Sequence, residues 1–197
     1  MEPYHMTLHL IPSETALILI DFQLGTLSFP LTPYDSDGLI ATGQRLGSAF
    51  AEADATIFTV NVAFSDDGGD RLKQPLDIPM MLPDGAFPSE WSRLTPEIAN
   101  LPGAKRITKR HWSAFFGTEL DIQLRRRGIS TVVIGGICTN FGVESTARDA
   151  WQHGYNVVIA EDACSSIGEG SHEFAITRTL PRVSRIRKSD AIRVALA

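Results

Sequence analysis

This sequence predicts an α/β protein, a three-layer doubly wound fold with a six-stranded parallel sheet, and three observations lead there. Short runs of apolar and β-branched residues recur along the chain, separated by stretches of helical periodicity. The runs are apolar almost without a break, as strands covered on both faces are. One of them, Thr131-Val-Val-Ile134, stops at Gly135-Gly136 and passes through a short polar turn directly into an amphipathic helix. A strand end feeding a helix amino terminus is where open α/β sheets place their chemistry. Unpaired backbone N–H groups and the helix dipole favour negative charge there.

The elements follow in order. Ala16 to Ile20 is the first strand, closed by Asp21, and a helix spans about Asp37 to Ala53. Thr56 to Val60 is the second strand. A long irregular region, 61–103, rich in Pro, Gly and Asp, comes next, with a short helix expected around Ser89 to Ile98. Loops of that length are functional or belong to an interface, and the Pro-rich part, 75–103, is a candidate contact surface. Lys105 to Thr108 is the third strand. Thr118 with Asp121 reads as a capping box opening a helix that runs to about Arg127. Arg125-Arg126-Arg127 before Gly128 places cations at that helix's carboxyl end.

Thr131 to Ile134 is the fourth strand, and its helix spans about Asn140 to His153, with Glu144 and Arg148 as an i,i+4 pair. Asn156 to Ala160 is the fifth strand, followed by a helix near 170–179, a sixth strand at Val183 to Ile186 and a last short helix. Right-handed crossovers favour the order 3-2-1-4-5-6, with the switch point between the first and fourth strands. No internal repeat interrupts residues 1–197, which read as one domain.

Composition narrows the function. A chain of 197 residues can bury roughly 70% of its unfolded surface. With 43% hydrophobic and 21% charged residues it is globular, not disordered. A net charge of -5 leaves no electrostatic footprint for nucleic acid or an anionic membrane. Met1 to Glu14 lacks the cationic start and apolar stretch of a secretory signal, and the run Ala16 to Ile20 is too short to span a bilayer. Two cysteines, Cys138 and Cys164, at no metal-like spacing suggest a reducing compartment. A cytoplasmic protein acting on a small-molecule substrate is the expectation, without nucleic-acid or membrane partners.

Chemistry is expected at three places. Asp21 ends a strand of apolar residues, where desolvation raises a carboxyl pKa unless a cation lowers it again. Lys109 follows the third strand. Topology lets both approach the 135–142 turn. Gly135-Gly136 with Gly142 misses the spacing of a dinucleotide fingerprint, and Gly168-Glu-Gly-Ser171 lacks the lysine of a phosphate loop. His5, His9, His111, His153 and His172 read as surface or core residues, not zinc ligands, with no carboxylate at zinc-like spacing.

Three linked motifs are then familiar. Asp21-Phe22-Gln23 after a strand, Lys109 to Phe115 with Gly117-Thr118, and Gly136 to Ala150 ending in Glu-Ser-Thr-Ala-Arg-Asp-Ala together resemble the isochorismatase-like hydrolases, as does Ala160-Glu-Asp-Ala163. The resemblance covers nearly the whole chain and implies a homodimer or homotetramer. Most of that family carry an Asp–Lys–Cys triad, and Asp21 and Lys109 match its first two members. Counting back eight residues from Ala150 gives Gly142 where the cysteine belongs. Without sulfur there, the thioester route has no obvious nucleophile. Members with Gly at this position are the true isochorismatases, which hydrolyse an enol ether without a covalent intermediate.

The resemblance implies Asp21 as general acid and Lys109 as its electrostatic partner, with no cofactor. The aspartate and histidine pattern that binds metal in nicotinamidases is replaced by Asn61-Val-Ala-Phe64, so no catalytic metal is expected. Gly142, Cys138, Asn61, Gln23, Phe22, Trp112, Phe115 and Arg71 are the expected substrate-binding residues. Asn61 stands where isochorismatases carry a polar amide, Arg71 and Lys73 suit a carboxylate, and the aromatic residues, Phe116 among them, suit a water-excluding wall. Cys138 is expected to line the pocket through its backbone after a cis Ile137–Cys138 bond. Two alternatives stay open: an amidase using Cys138 as nucleophile, and a catalytically silent binding protein.

Overall fold

The computed structural model describes residues 7–78 and 87–196. Its parallel strands are β1 (Thr15–Ile20), β3 (Thr56–Val62), β4 (Lys105–Lys109), β5 (Thr131–Ile137), β6 (Asn156–Ile167) and β7 (Arg185–Arg187). They lie in the order β4-β3-β1-β5-β6-β7, and a two-residue strand, β2 (Leu31–Thr32), pairs antiparallel with the far end of β6. Taken without β2, this is the order expected from right-handed crossovers. The switch point falls between β1 and β5, at the centre of the sheet.

Seven α-helices among the described residues complete the layers: α1 (Leu24–Leu27), α2 (Ser36–Glu52), α3 (Pro96–Ala99), α4 (Leu120–Arg126), α5 (Glu144–Gln152), α6 (Ser171–Phe174) and α7 (Ser189–Leu196). Every residue of β1 is buried, and its side chains alternate between two cores. Ala16, Ile18 and Ile20 join Leu120, Leu124, Val143, Ala147 and Ala150 under α4 and α5. Leu17 and Leu19 join Leu39, Leu46, Phe50, Ile98 and Ile192 under α2, α3 and α7. Each Leu, Ile, Val or Phe among them contributes roughly 1.5–3 kcal/mol by leaving water. The two half-cores therefore fix β1, and with it the position of the residue that follows.

Several boundaries differ from the sequence reading. β3, β5 and β6 extend to residues 62, 137 and 167 because pairing continues past the apolar runs, through Asn61–Thr108 and Ile137–Ser165. The capping box at Thr118 is not formed. Thr118 Oγ1 accepts from the Leu120 amide at 3.2 Å, but Asp121 turns away to Arg125 and the Tyr155 hydroxyl. After β5 the chain makes one turn of π-helix, Thr139–Val143, before α5. The helix near 170–179 is α6 followed by a π turn over Ala175–Thr179. In the long loop, the helix is Pro96–Ala99, later than expected. Of the Pro-rich contact surface, residues 79–86 lie outside the described residues, as does His5.

The glycine pair ending β5 has a steric reason. A Cβ at Gly135 would meet the Ala163 Cβ at 3.0 Å, and one at Gly136, where φ is 149°, would lie 2.2 Å from the Ile20 carbonyl oxygen. Only hydrogen fits between the ends of β1 and β5, so the turn after β5 is drawn over the end of β1. Gly136→Ala is expected to cost about 2–4 kcal/mol, since the obstacle is backbone that cannot rotate away. Urea unfolding measures this; a variant within about 0.5 kcal/mol of the parent would show that the strands part easily.

Candidate active site

Asp21 leaves the sheet with a left-handed backbone, φ 57°, a conformation that Asp tolerates better than most residues. Its amide still donates to the Val60 carbonyl at 2.8 Å, and its carbonyl accepts from the Thr26 hydroxyl. The backbone is held on both sides while the side chain turns under the helix layer, 4% exposed as a residue. Lys109 ends β4, two strands away, and is 2% exposed. It points to the same face as Ile107, and its stem carries Nζ across β3 to Asp21 Oδ2 at 2.7 Å. The ammonium also donates to the His111 carbonyl at 3.0 Å.

Burial pushes the Asp21 carboxyl above its ordinary pKa, and the charge and hydrogen bond of Lys109 only partly offset that. The Val62 amide lies near enough to favour the carboxylate, but it donates to Gln23 Oε1 at 2.8 Å instead. Asp21 Oδ1 is buried and accepts no hydrogen bond among the described residues. The arrangement is a carboxyl group with one oxygen on an ammonium and the other uncommitted. Such a group can accept or release a proton.

The third component is the turn after β5. The Ile137–Cys138 peptide is cis, and the Cys138 carbonyl accepts from the amides of Phe141 and Val143 at 3.1 and 3.2 Å. This curls Gly142 back over the end of β1. A Cβ built there would lie 3.4 Å from Asp21 Oδ2, 3.2 Å from the Ile137 carbonyl and 3.5 Å from Ile20 Cγ2. Position 142 thus faces the carboxyl group and carries no side chain. The Gly142 carbonyl is fixed by the Thr146 hydroxyl at 2.7 Å, which in turn accepts from the Ala114 amide at 3.0 Å. Cys138 is 7% exposed. Burial first, and then the Asp21 charge, push its thiol up to about 11, against the weaker opposing pull of Ile167, Ser166 and Lys109. It is a neutral thiol at physiological pH.

The other expected site residues are distributed differently. Phe22 is fully buried in the α2 core, packed against Gly43. Gln23 is a clamp: its amide donates to the Val62 and Trp91 carbonyls at 3.1 and 3.0 Å, tying the long loop to β3. Asn61 accepts from Arg106 and Thr108, both at 3.0 Å, and so braces β4. Phe115 is buried against His153 and Tyr155. Trp112 is half exposed and packs on Phe141 at 4.9 Å, while Phe116 is exposed beside His111. Arg71 lies over Phe87 and Phe64, at 4.3 and 5.5 Å from their centroids. Those two rings line a cavity of about 250 Å³ beyond the end of β3, and Asp21, Lys109 and Gly142 are not among its walls. Lys73 is exposed in the same loop.

Sequence reading missed Thr26, Thr146 and Phe141. Thr146 carried a signal, because a threonine four residues after the glycine can back-bond to its carbonyl. No cluster of three or more potential metal ligands occurs among the described residues, and no described helix is long and apolar enough to cross a membrane.

Comparison with known proteins gives a consistent result. A family model described as the isochorismatase domain matches residues 15–191. The isochorismatase family protein YecD of Escherichia coli O157:H7 is 42% identical over 96% of this chain and 100% of its own length. The ureidoacrylate amidohydrolase RutB of Pantoea ananatis is 31% identical over 80% of this chain and 71% of its own length. A solved structure of an isochorismatase family protein from Burkholderia thailandensis has a TM-score of 0.90 at 36% identity, covering 97% of this chain and 99% of that one.

The Cys138 thiol offers a direct check on the electrostatics. With its titration pushed up to about 11, its alkylation by iodoacetamide should rise about tenfold per pH unit from pH 7 to 10. Peptide mass spectrometry reads the rate, and a plateau near pH 8–9 would contradict the environment described.

Proposed function

This chain belongs to the isochorismatase family of hydrolases, and from that premise we propose that it hydrolyses a small anionic metabolite at Asp21 and Lys109 without a covalent thioester. The observation that carries the reading is Gly142. The position facing the Asp21 carboxyl has no side chain, and the nearby thiol, Cys138, is held neutral. A nucleophilic cysteine would need its thiolate.

Enol-ether hydrolysis suits such a site. Asp21, protonated, delivers its proton to the vinyl carbon, and water attacks the resulting oxocarbenium carbon. The Asp21 carboxylate takes a proton from that water, and the hemiketal collapses to a keto acid and an alcohol. The raised pKa of Asp21 supports the acid role. Carboxylates of the substrate would engage Lys109 and the helix start at Gly142, and their field with the exclusion of water would raise that pKa further.

A second reading is C–N hydrolysis, favoured by the named activity of RutB. Carried out by Cys138, it would need a thiol pushed up to about 11 to act as nucleophile. Isochorismate, ureidoacrylate and N-carbamoyl amino acids form the discriminating panel. Cys138→Ala should retain turnover under the first reading and lose it under a Cys138 mechanism.

Two outcomes are expected. Asp21→Asn should lower kcat about 10²–10⁴-fold with substrate binding largely kept, measured beside a melting curve, because the change strands the Lys109 ammonium. Unchanged turnover would refute the acid role. Gly142→Cys should fold, since its Cβ contacts are tight but not prohibitive. Its new thiol, set at the ion pair, should alkylate at least about tenfold faster than Cys138 at pH 8. Equal rates would mean that position 142 does not face the reacting space.

A further inference from the structure

Beside the turn lies a buried polar chain that the proposed chemistry does not use. His172, on α6, is 5% exposed, and Thr139, the first residue of the π turn, is fully buried. His172 Nδ1 is 2.8 Å from Thr139 Oγ1, and Nε2 is 3.2 Å from Glu161 Oε1 on β6. Glu161 also accepts from the Tyr34 hydroxyl at 3.0 Å and pairs with Lys188, which donates to that hydroxyl at 2.7 Å. The Tyr34 ring meets the imidazole edge-on at 6.0 Å. Burial pushes the Glu161 carboxyl up, but His172, Lys188 and Tyr34 together outweigh it and hold it down to about 2.

An ionised Glu161 needs a donor, so Nε2 carries hydrogen. In a neutral ring Nδ1 is then an acceptor, and the Thr139 hydroxyl must give it its proton. The imidazole is locked between a fixed anion and the first residue of the turn that bends Gly142 over Asp21. Of this chain only His172 reaches the turn, through the Thr139 hydroxyl; Glu161 on β6 and Tyr34 in the 31–35 segment stand behind it.

We infer that His172 is a positioning residue for the candidate site: its Nδ1 holds the Thr139–Val143 turn through the Thr139 hydroxyl and so sets Gly142 against the Asp21 carboxyl. The catalytic consequence rests on the function proposed above, whereas the positioning of the turn does not. Thr146 grips the same turn from the opposite side through the Gly142 carbonyl. With both hydroxyls engaged, the turn is held at its first residue and its fourth.

The test uses substitutions that each keep one half of the chain. His172→Asn retains a polar group in place of Nδ1 and loses Nε2; His172→Gln retains one in place of Nε2 and loses Nδ1. Thr139→Val removes the hydroxyl at nearly constant shape. Iodoacetamide labelling of Cys138, adjacent to Thr139, reports how often the turn opens. Thr139→Val and His172→Gln should label at least about tenfold faster than the parent at pH 8, and His172→Asn within about twofold.

On whichever compound of the panel the parent hydrolyses, the first two should lose kcat with KM held within about twofold, while His172→Asn keeps both. Parental labelling in all three folded variants would overturn the inference. Equal acceleration in all three, Asn included, would overturn it too, because it would mean packing alone. Should the His172 variants fail to fold, Thr139→Val decides the question. A parent inactive on every compound would refute the proposed function yet leave the labelling result to judge the turn.

Discussion

The buried ion pair between Asp21 and Lys109 is the constraint to which the surrounding structure answers. Two opposite charges removed from water recover the desolvation cost only with good geometry, and apolar residues of equal volume would serve stability as well or better. Here the ammonium has the Asp21 carboxyl at 2.7 Å and the His111 carbonyl at 3.0 Å. The carboxyl keeps one oxygen unengaged among the described residues. A group left in that condition inside a packed core costs free energy, of the order of 1–3 kcal/mol for a neutral polar atom and more for a charge. Stability alone does not account for it, whereas the proposed contact with a reactant would.

The architecture supplies that pair with its rigidity. β1 is buried on both faces and hydrogen-bonded on both edges, so its end is a fixed point. Lys109 reaches it from β4 because strand alternation puts Ile107 and Lys109 on the face that also carries Ile20. Gly136 lets β5 lie against the Ile20 carbonyl, and the turn that follows sets Gly142 over Asp21. Each of these is a packing fact before it is a chemical one. The proposed chemistry rests on what is missing at residue 142.

Much of this was legible in the sequence, and the rest was hidden for identifiable reasons. The strand order, and with it the approach of residues 21 and 109 to the 135–142 turn, followed from apolar runs and right-handed crossovers; the place of Gly142 came from the family resemblance. Gln23, Phe22 and Phe115 were expected around substrate because they belong to the motifs, and Asn61 because isochorismatases carry a polar amide there; neither ground says which way a side chain turns. Gln23 and Asn61 are instead consumed in bracing the strand ends, and both rings are buried in core. The short β2 and α1 carried too few residues to show a period. The link from His172 to Thr139 spans 33 residues and exists only because α6 packs beside the turn. No spacing rule could have exposed it.

The central claim is that hydrolysis here proceeds at a carboxyl and an ammonium with no bond to sulfur. Intact-mass spectrometry of the protein, quenched in acid while it turns over a substrate of the panel, tests this most directly. The account predicts an unmodified mass throughout product formation, in the parent and in Cys138→Ala alike. A transient adduct localised to Cys138, absent from that variant together with its activity, would contradict it.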